Sequence, residues 1–281
     1  MMKTSPTPIA AIDDLPTLPQ VVIEVNRLMQ DPDASLKQVG ALIAKDIALA
    51  PRILKLVNSS FFGFQSQVSD IARAVVLLGF NTVRSALFSV AVIDALSSRK
   101  EDGRFDIRGF WKHSLSVAVI AGFIGGRTGN VKKEDAFTAG LLHDIGKVVL
   151  WQHFKERFDV IQEKAAHERL PFHQCEDKDS DFSHAVIGAG LARRWQLPDT
   201  LQNAIRFHHN PGQSDHAAIE WVVYTADSIN HRMVNNNEAH ALEEMPFADQ
   251  DMLRELSMTA HQWYPALAEE IEAACHFFLK G

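Results

Sequence analysis

The chain has 281 residues, of which 46% are hydrophobic and 22% charged, which is ample for one large packed core or for two lobes. A net charge of −7 and a pI near 6.0 argue against a broad nucleic-acid footprint, which needs a basic face, while leaving room for local basic clusters. Cys175 and Cys275 lie far apart and outside any Cys-x-x-Cys spacing, so both are read as free thiols of a reducing cytoplasm. The opening MMKTSPTPIAAIDD has no apolar signal core, and the most apolar run, VAVIAGFIGG at 117–126, is too short to span a bilayer. The expectation is a cytoplasmic protein with no membrane contact.

In chain order, residues 1–14 read as an N-terminal tail. Helical periodicity then predicts helices at 19–30, 36–44, 46–58, 70–78 and 82–97, with Pro51 kinking the third or marking a late start. Asn81 is a candidate N-cap for the fifth, on which Val83, Leu87, Val90 and Asp94 share a side. The polar, Gly-containing SSRKEDGRFD at 97–106 marks a lobe junction. Helices follow at 107–128, 133–150, 152–168, 181–195, 199–209 and 216–233. A second polar connector at 235–251 leads to helices at 249–257 and 261–279. Sustained period-2 alternation and hairpin signals are absent, so the fold class is all-α. The expected organisation is a helical lobe at 15–99, a second lobe at 106–235 and a C-terminal helical extension at 236–281.

Seven residues in the second lobe carry the chemistry. His113, the pair His143-Asp144, His184, the pair His208-His209 and Asp227 each fall in or at the end of an apolar, helix-like stretch. Titratable groups are costly in a helical core unless paired or coordinated. Imidazole and carboxylate together suit Fe, Mn, Ni or Zn. Asp144 is the natural bridge between two ions, because a carboxylate offers two oxygens and an imidazole one free lone pair. The simpler readings are a buried His-Asp hydrogen-bonded pair for His143-Asp144 and an exposed turn for HHNP. His153, His167, His173, His216, His231, His240, His261 and His276 fall outside the pattern and are read as surface or structural. GFIGGRTGN at 122–130 is a helix end and turn, since no strand precedes it to make a phosphate loop. No Ser-His-Asp or Cys-His nucleophile is suggested.

The order His, His-Asp, distant Asp, with LLHDIGKVVL as its most specific string, resembles the HD superfamily of metal-dependent phosphohydrolases. His184 and His208-His209 resemble the branch containing the HD-GYP cyclic di-nucleotide phosphodiesterases. Here the pair continues as NPGQSDH without GYP, which counts against hydrolysis of cyclic di-GMP. Gly109 stands where trinuclear relatives place a Glu, so a third ion is not expected. LPTLPQ, DPDAS, KDIALAPRILKLVNSSFFG and LLGFNTVR make residues 15–235 similar to the HDOD domain of bacterial signalling proteins.

The resemblance implies a centre of two divalent ions. His113, His143, Asp144 and Asp227 would hold one, and Asp144, His184, His208 and His209 the other. It implies hydrolysis of a phosphorylated small molecule or nucleotide by metal-activated water, with Asp144 and Lys147 as the catalytic residues. Lys147 would contact phosphate, or else be a solvated helix-end lysine. The loops around 172–182 and 210–216 would cover the site. Protein partners in signalling are compatible with the family; a DNA partner is not expected. The alternative is a non-catalytic signal-output module that keeps a structural metal site.

Overall fold

A computed structural model of the protein describes residues 9, 12, 14–29, 33–58, 67–97, 105–176, 182–214, 217–235 and 251–280. The fold is all-α, with no strand among the described residues. The chain divides into two compact units. One comprises Pro16–Ser98 and His261–Gly281, the other Met1–Leu15 and Arg99–Ala260.

The first unit contains α1 (Gln20–Met29), α2 (Leu36–Ala44), α3 (Leu49–Val57), α4 (Ile71–Leu78) and α5 (Phe80–Ser97). Local chemistry sets their ends. Ser35 caps α2 in a reciprocal box with Gln38: the Ser35 amide donates to Gln38 Oε1 at 2.7 Å, and the Gln38 amide to Ser35 Oγ at 3.3 Å. Asp70 Oδ1 accepts the Arg73 amide at 2.7 Å and opens α4. Gly79, at φ 76°, turns the chain from α4 into α5. Because α5 starts at Phe80, Asn81 lies within its first turn and is not its N-cap. α5 is buried nearly all round, from Val83 to Leu96, with Asp94 left at the surface in an ion pair with Arg52. α3 begins at Leu49, so Pro51 sits in the first turn, where its missing N–H has no partner to lose. The unit also takes in most of the C-terminal helix, Ala260–Lys280, whose Leu267, Ile271, Ala274 and Phe278 recur at helical spacing and are buried.

The second unit is built on α6 (Ile107–Thr128), opened by Asp106, whose carboxylate accepts the Gly109 amide at 2.8 Å. α6 closes at Gly129 in the left-handed region, as the glycine-rich run 122–130 suggested. α7 (Lys133–Leu142) and α13 (Ala218–Asn235) pack along it. α8 (Ile145–His153) packs on α11 (His184–Arg194), which packs in turn on α12 (Asp199–Phe207). α9 (Lys155–Glu168), the short α10 (Phe172–Cys175), a 3-10 turn at Pro211–Gln213 and α14 (Asp251–Met258) complete the unit.

Two close approaches hold it. A Cβ on Gly140 would lie 2.9 Å from the Ala118 Cα, and one on Gly146 only 1.8 Å from the His184 carbonyl oxygen. Helix α8 therefore touches α11 backbone to backbone, and only glycine fits. A Cβ on Gly188 would meet Ile205 Cγ2 at 2.9 Å, so its smallness serves helix contact. Ile9 and Ile12 are buried, and Ile9 lies against Gly190. Both cysteines are free and buried. Among the described residues, no single helix is long and apolar enough to cross a membrane.

The expected single helix at 133–150 is two. It breaks at His143-Asp144, where Asp144 takes φ −103°, ψ 5°. That sparsely populated backbone region is favoured at functional turns. The break turns the chain from the face of α6 to that of α11 and leaves both side chains at the junction.

Candidate metal centre

The seven sequence-derived residues converge in the second unit as two adjoining groups. His113, His143 and Asp227 form one, and Asp144, His184, His208 and His209 the other; within each group the candidate ligand atoms lie within 4.8 Å of one another. His113 comes from the second turn of α6, Asp227 from α13 and His184 from the first turn of α11, which Ser183 caps. His208 and His209 follow the last residue of α12, where the chain leaves helical geometry before Asn210-Pro211.

Asp144 joins the groups. Its Oδ1 lies 3.2 Å from His184 Nε2 and 3.6 Å from His208 Nε2. Its Oδ2 lies 3.3 Å from His143 Nε2 and 3.7 Å from His113 Nε2. Lys147, one turn on, donates from Nζ to Oδ2 at 2.6 Å, and its ammonium stands 5.5 Å from the Phe172 ring centre. Asp227 Oδ1 lies 3.3 Å from His113 Nε2 and 3.9 Å from His143 Nε2.

The donor set fits a cation. His143 Nδ1 donates to the Gly140 carbonyl and His208 Nδ1 to the Ile205 carbonyl, each at 2.7 Å. His184 Nδ1 donates to Glu176 Oε2, also at 2.7 Å. With the protons fixed on Nδ1, each neutral ring turns a bare Nε2 lone pair inward. Two of those nitrogens crowd together, His184 to His208 at 3.3 Å, and two further Nε2 atoms close in, His209 on His184 at 3.1 Å and His113 on His143 at 3.3 Å. The bare lone pairs of His184 and His208, facing each other at that distance, repel unless a cation lies between them. Asp144 Oδ1 and Asp227 Oδ1, both buried, lack any hydrogen-bond partner. Buried carboxylate oxygens without partners are rare and costly, and cation binding satisfies them.

The electrostatics follow from burial and charge. Burial pushes the Asp144 carboxyl up, but Lys147 and His143 more than reverse this and hold it well below the ordinary range. Asp227 is likewise held down, burial being outweighed by His113, His143 and His231. Burial pushes His208 down to about 4, with His143 and His184 adding to the effect, and His209 falls well below its ordinary value for similar reasons. Both are thus neutral at pH 7, the form a metal would need. His143 and His184 go the other way, because Asp144 and Glu176 respectively outweigh their burial.

Four contributors escaped the sequence reading. Glu176 is buried, accepts both the Nδ1 proton and the backbone amide of His184, and fixes that ring's tautomer. Asn230 stands 3.0 Å from His113 Nδ1 through its Nδ2, while its buried Oδ1 has no partner. Turning that amide over would let the oxygen accept the Nδ1 proton and leave Nε2 free to ligate. His231, read as surface or structural, lies 3.4 Å from Asp227 Oδ1 through Nε2. His173, read the same way, stacks on His209 with ring centres 3.8 Å apart. The i, i+4 spacing of Asp227 and His231 on one helix was the available signal. His216 and His240 lie outside the described residues, as do 177–181 and 215–216 of the loops expected over the site.

An all-α bundle with a His-Asp dipeptide at a helix junction, surrounded by four further histidines and a distant aspartate, defines an HD-type protein. Residues 15–211 match the HDOD domain, and the chain belongs to that family. A Treponema pallidum (strain Nichols) protein of uncharacterized function is 35% identical over 215 residues, covering 74% of this chain and 41% of that protein. Ribonuclease Y of Desulfotalea psychrophila is 25% identical over 215 residues, covering 59% of this chain and 36% of the enzyme. The chain thus spans well under half the length of both relatives. An HDOD domain protein of unknown function from Geobacter sulfurreducens superposes with a TM-score of 0.77 at 27% identity, over 96% of each chain.

Proposed function

We propose that the protein is a metal-dependent phosphohydrolase of the HDOD signalling group, acting on a phosphoester or phosphodiester. The observation that carries this reading is the Asp144 carboxylate, with one oxygen facing each group of imidazole Nε2 atoms. A metal held for stability needs about four ligands in a closed shell; a carboxylate shared by two groups suits a pair of ions. His113, His143 and Asp227 would hold one ion and His184, His208 and His209 the other, with Asp144 shared. Bound ions would supply Lewis acidity and bring the pKa of water near neutrality. The name of the ribonuclease Y relative supports a phosphodiester as the substrate class.

The chain's own residues supply the rest. His113 and Asp227 are the more open groups, with side chains 23% and 15% exposed, so substrate approaches from their side. Lys147 is 22% exposed on a flexible stem, and can turn from Asp144 to neutralise charge on a phosphate oxygen. Glu176 keeps the His184 lone pair aimed inward.

The test is metal analysis of protein purified without chelator, followed by hydrolysis of a generic phosphodiester with Mn²⁺ or Fe²⁺ supplied. Wild type should hydrolyse it in a metal-dependent way. Asp144→Ala should be inactive, and Lys147→Ala slower by about 10²–10³-fold, the usual loss for a transition-state charge donor. Loaded wild type no faster than Asp144→Ala on every ester tried would overturn the reading. One observation favours the second reading, a signal-output module with a structural metal: His184, His208 and Asp144 are at most 2% exposed. Bound metal without any hydrolysis would support it.

A further inference from the structure

Along α11 and α12, the second unit carries a cluster of cations that no part of the proposed chemistry uses. A cleft of about 540 Å³ runs along the pair α11 and α12, lined by Val186, Ala189, Gly190 and Arg193 from one helix and by Gln202, Asn203 and Arg206 from the other, with Arg194 and Ile9 completing it. Positions 186, 189, 190 and 193 follow i, i+3, i+4, i+7 and so share one face of α11. Arg193, Arg194 and Arg206 are exposed, and none has a carboxylate partner among the described residues. In a chain of net charge −7, three arginines gathered on one cleft make a local positive field that an anion would compensate.

We propose that this cleft binds the phosphate backbone of a single-stranded nucleic acid. Arg206 stands two residues before His208, at the metal end of α12, whereas Arg193 and Arg194 stand at the far end of α11. Cations at both ends of a groove fit an anion with several charges in a row better than one with a single charge. Guanidinium is also the side chain best shaped to grip phosphate through paired N–H donors. The floor of Ile9, Val186, Ala189 and Gly190 offers no aromatic ring for a base to stack on. Recognition therefore falls on the phosphates and sugars, which carry no sequence information. Gln202 gives its amide N–H to the Leu197 carbonyl at 2.7 Å and keeps its oxygen for a ribose hydroxyl. The binding does not depend on catalysis at the metals, so its failure and the failure of the hydrolase reading are separable.

The experiment is fluorescence anisotropy of the purified full chain with a short labelled single-stranded RNA, over a salt series. Three phosphate contacts on a single strand give a slope of log affinity against log salt of about −2, so a fourfold rise in salt weakens binding roughly 16-fold. Arg193→Ala, Arg194→Ala and Arg206→Ala should each weaken binding and flatten the slope. Their circular dichroism, and their metal content relative to wild type, should be unchanged. Arg206→Lys should keep most of the affinity. Homopolymers of different base should bind alike. The proposal fails if no binding is seen at low salt, if the triple Arg→Ala variant binds like wild type, if a mononucleotide binds as tightly as the strand, or if polyglutamate competes as well as the RNA does.

Discussion

The two groups of candidate ligands use the same chemistry in different surroundings. In the inner group, His184 and His208 are at most 1% exposed, and the Nδ1 of each is tied to a buried acceptor. In the outer group, His143 is as buried and as firmly tied, but His113 is 23% exposed along its side chain and Asp227 15%, and their neighbours are an amide and a further imidazole. Rings whose tautomer and direction are locked make an ion hard to lose; partly open rings leave room for water and for exchange. On the proposed reading, this contrast would divide labour within one centre, the inner group anchoring an ion and the outer group presenting one to substrate. Asp144 is the member common to both.

The largest effect should come from removing that common member. Asp144→Ala is expected to lose the metal of both groups, because each then lacks its shared oxygen. An ion binding only the folded chain contributes about 3–4 kcal/mol at roughly 100–1,000 times its Kd. Chelator should therefore lower the Tm of wild type and leave Asp144→Ala unmoved. Equal chelator shifts in the two proteins would show that Asp144 does not tie the groups together.

The next pair tests whether the groups separate. His113→Ala should lower metal content by about half, emptying the outer group while chelator still shifts the Tm through the inner one. Glu176→Gln should act on the inner group alone. It keeps the shape but weakens the acceptor for the His184 Nδ1 proton, and loss of such a supporting contact typically weakens metal binding about 10–100-fold. Competition against a coloured chelator reads both. If His113→Ala strips all metal, the two groups are one site and the division fails.

How far this could be read in the sequence depended on how local the signal was. His143, Asp144 and Lys147 were legible because an apolar helical run containing HDIGK has few other uses for its polar members. The candidate ligands on α6, α11 and α13 stood out because each is a titratable group in a largely apolar stretch, and His208-His209 because the adjacent pair ends a helix before Asn210-Pro211. The break at His143-Asp144 was not, since the apolar period runs on through Leu142, Ile145 and Val148 and no proline marks it. What breaks the helix is tertiary: Gly146 must meet the backbone of α11. Glu176 was hidden because it opens the polar run EDKDSD, where one more acid draws no notice. Asn81 at the start of α5 misled in the opposite direction, as a good capping residue placed two positions too late.

The smallest expected effect is at His231, and it tests how open the outer group is. Its Nε2 stands 3.4 Å from Asp227 Oδ1, and the His231 and His113 ring centres are 5.2 Å apart. The side chain is 31% exposed, the most open imidazole around Asp227. As a positioning residue, His231 steadies Asp227 from the solvent side without ligating. His231→Ala should then leave metal content unchanged and weaken the outer ion by less than about tenfold, the lower end of what a supporting contact contributes. His231→Gln, which keeps a donor at similar reach, should restore most of that loss. Should His231→Ala instead empty the outer group as fully as His113→Ala, His231 is itself a ligand. The outer group would then be a closed shell of five residues counting Asp144, and the contrast between an anchored inner ion and a working outer one would have to be withdrawn.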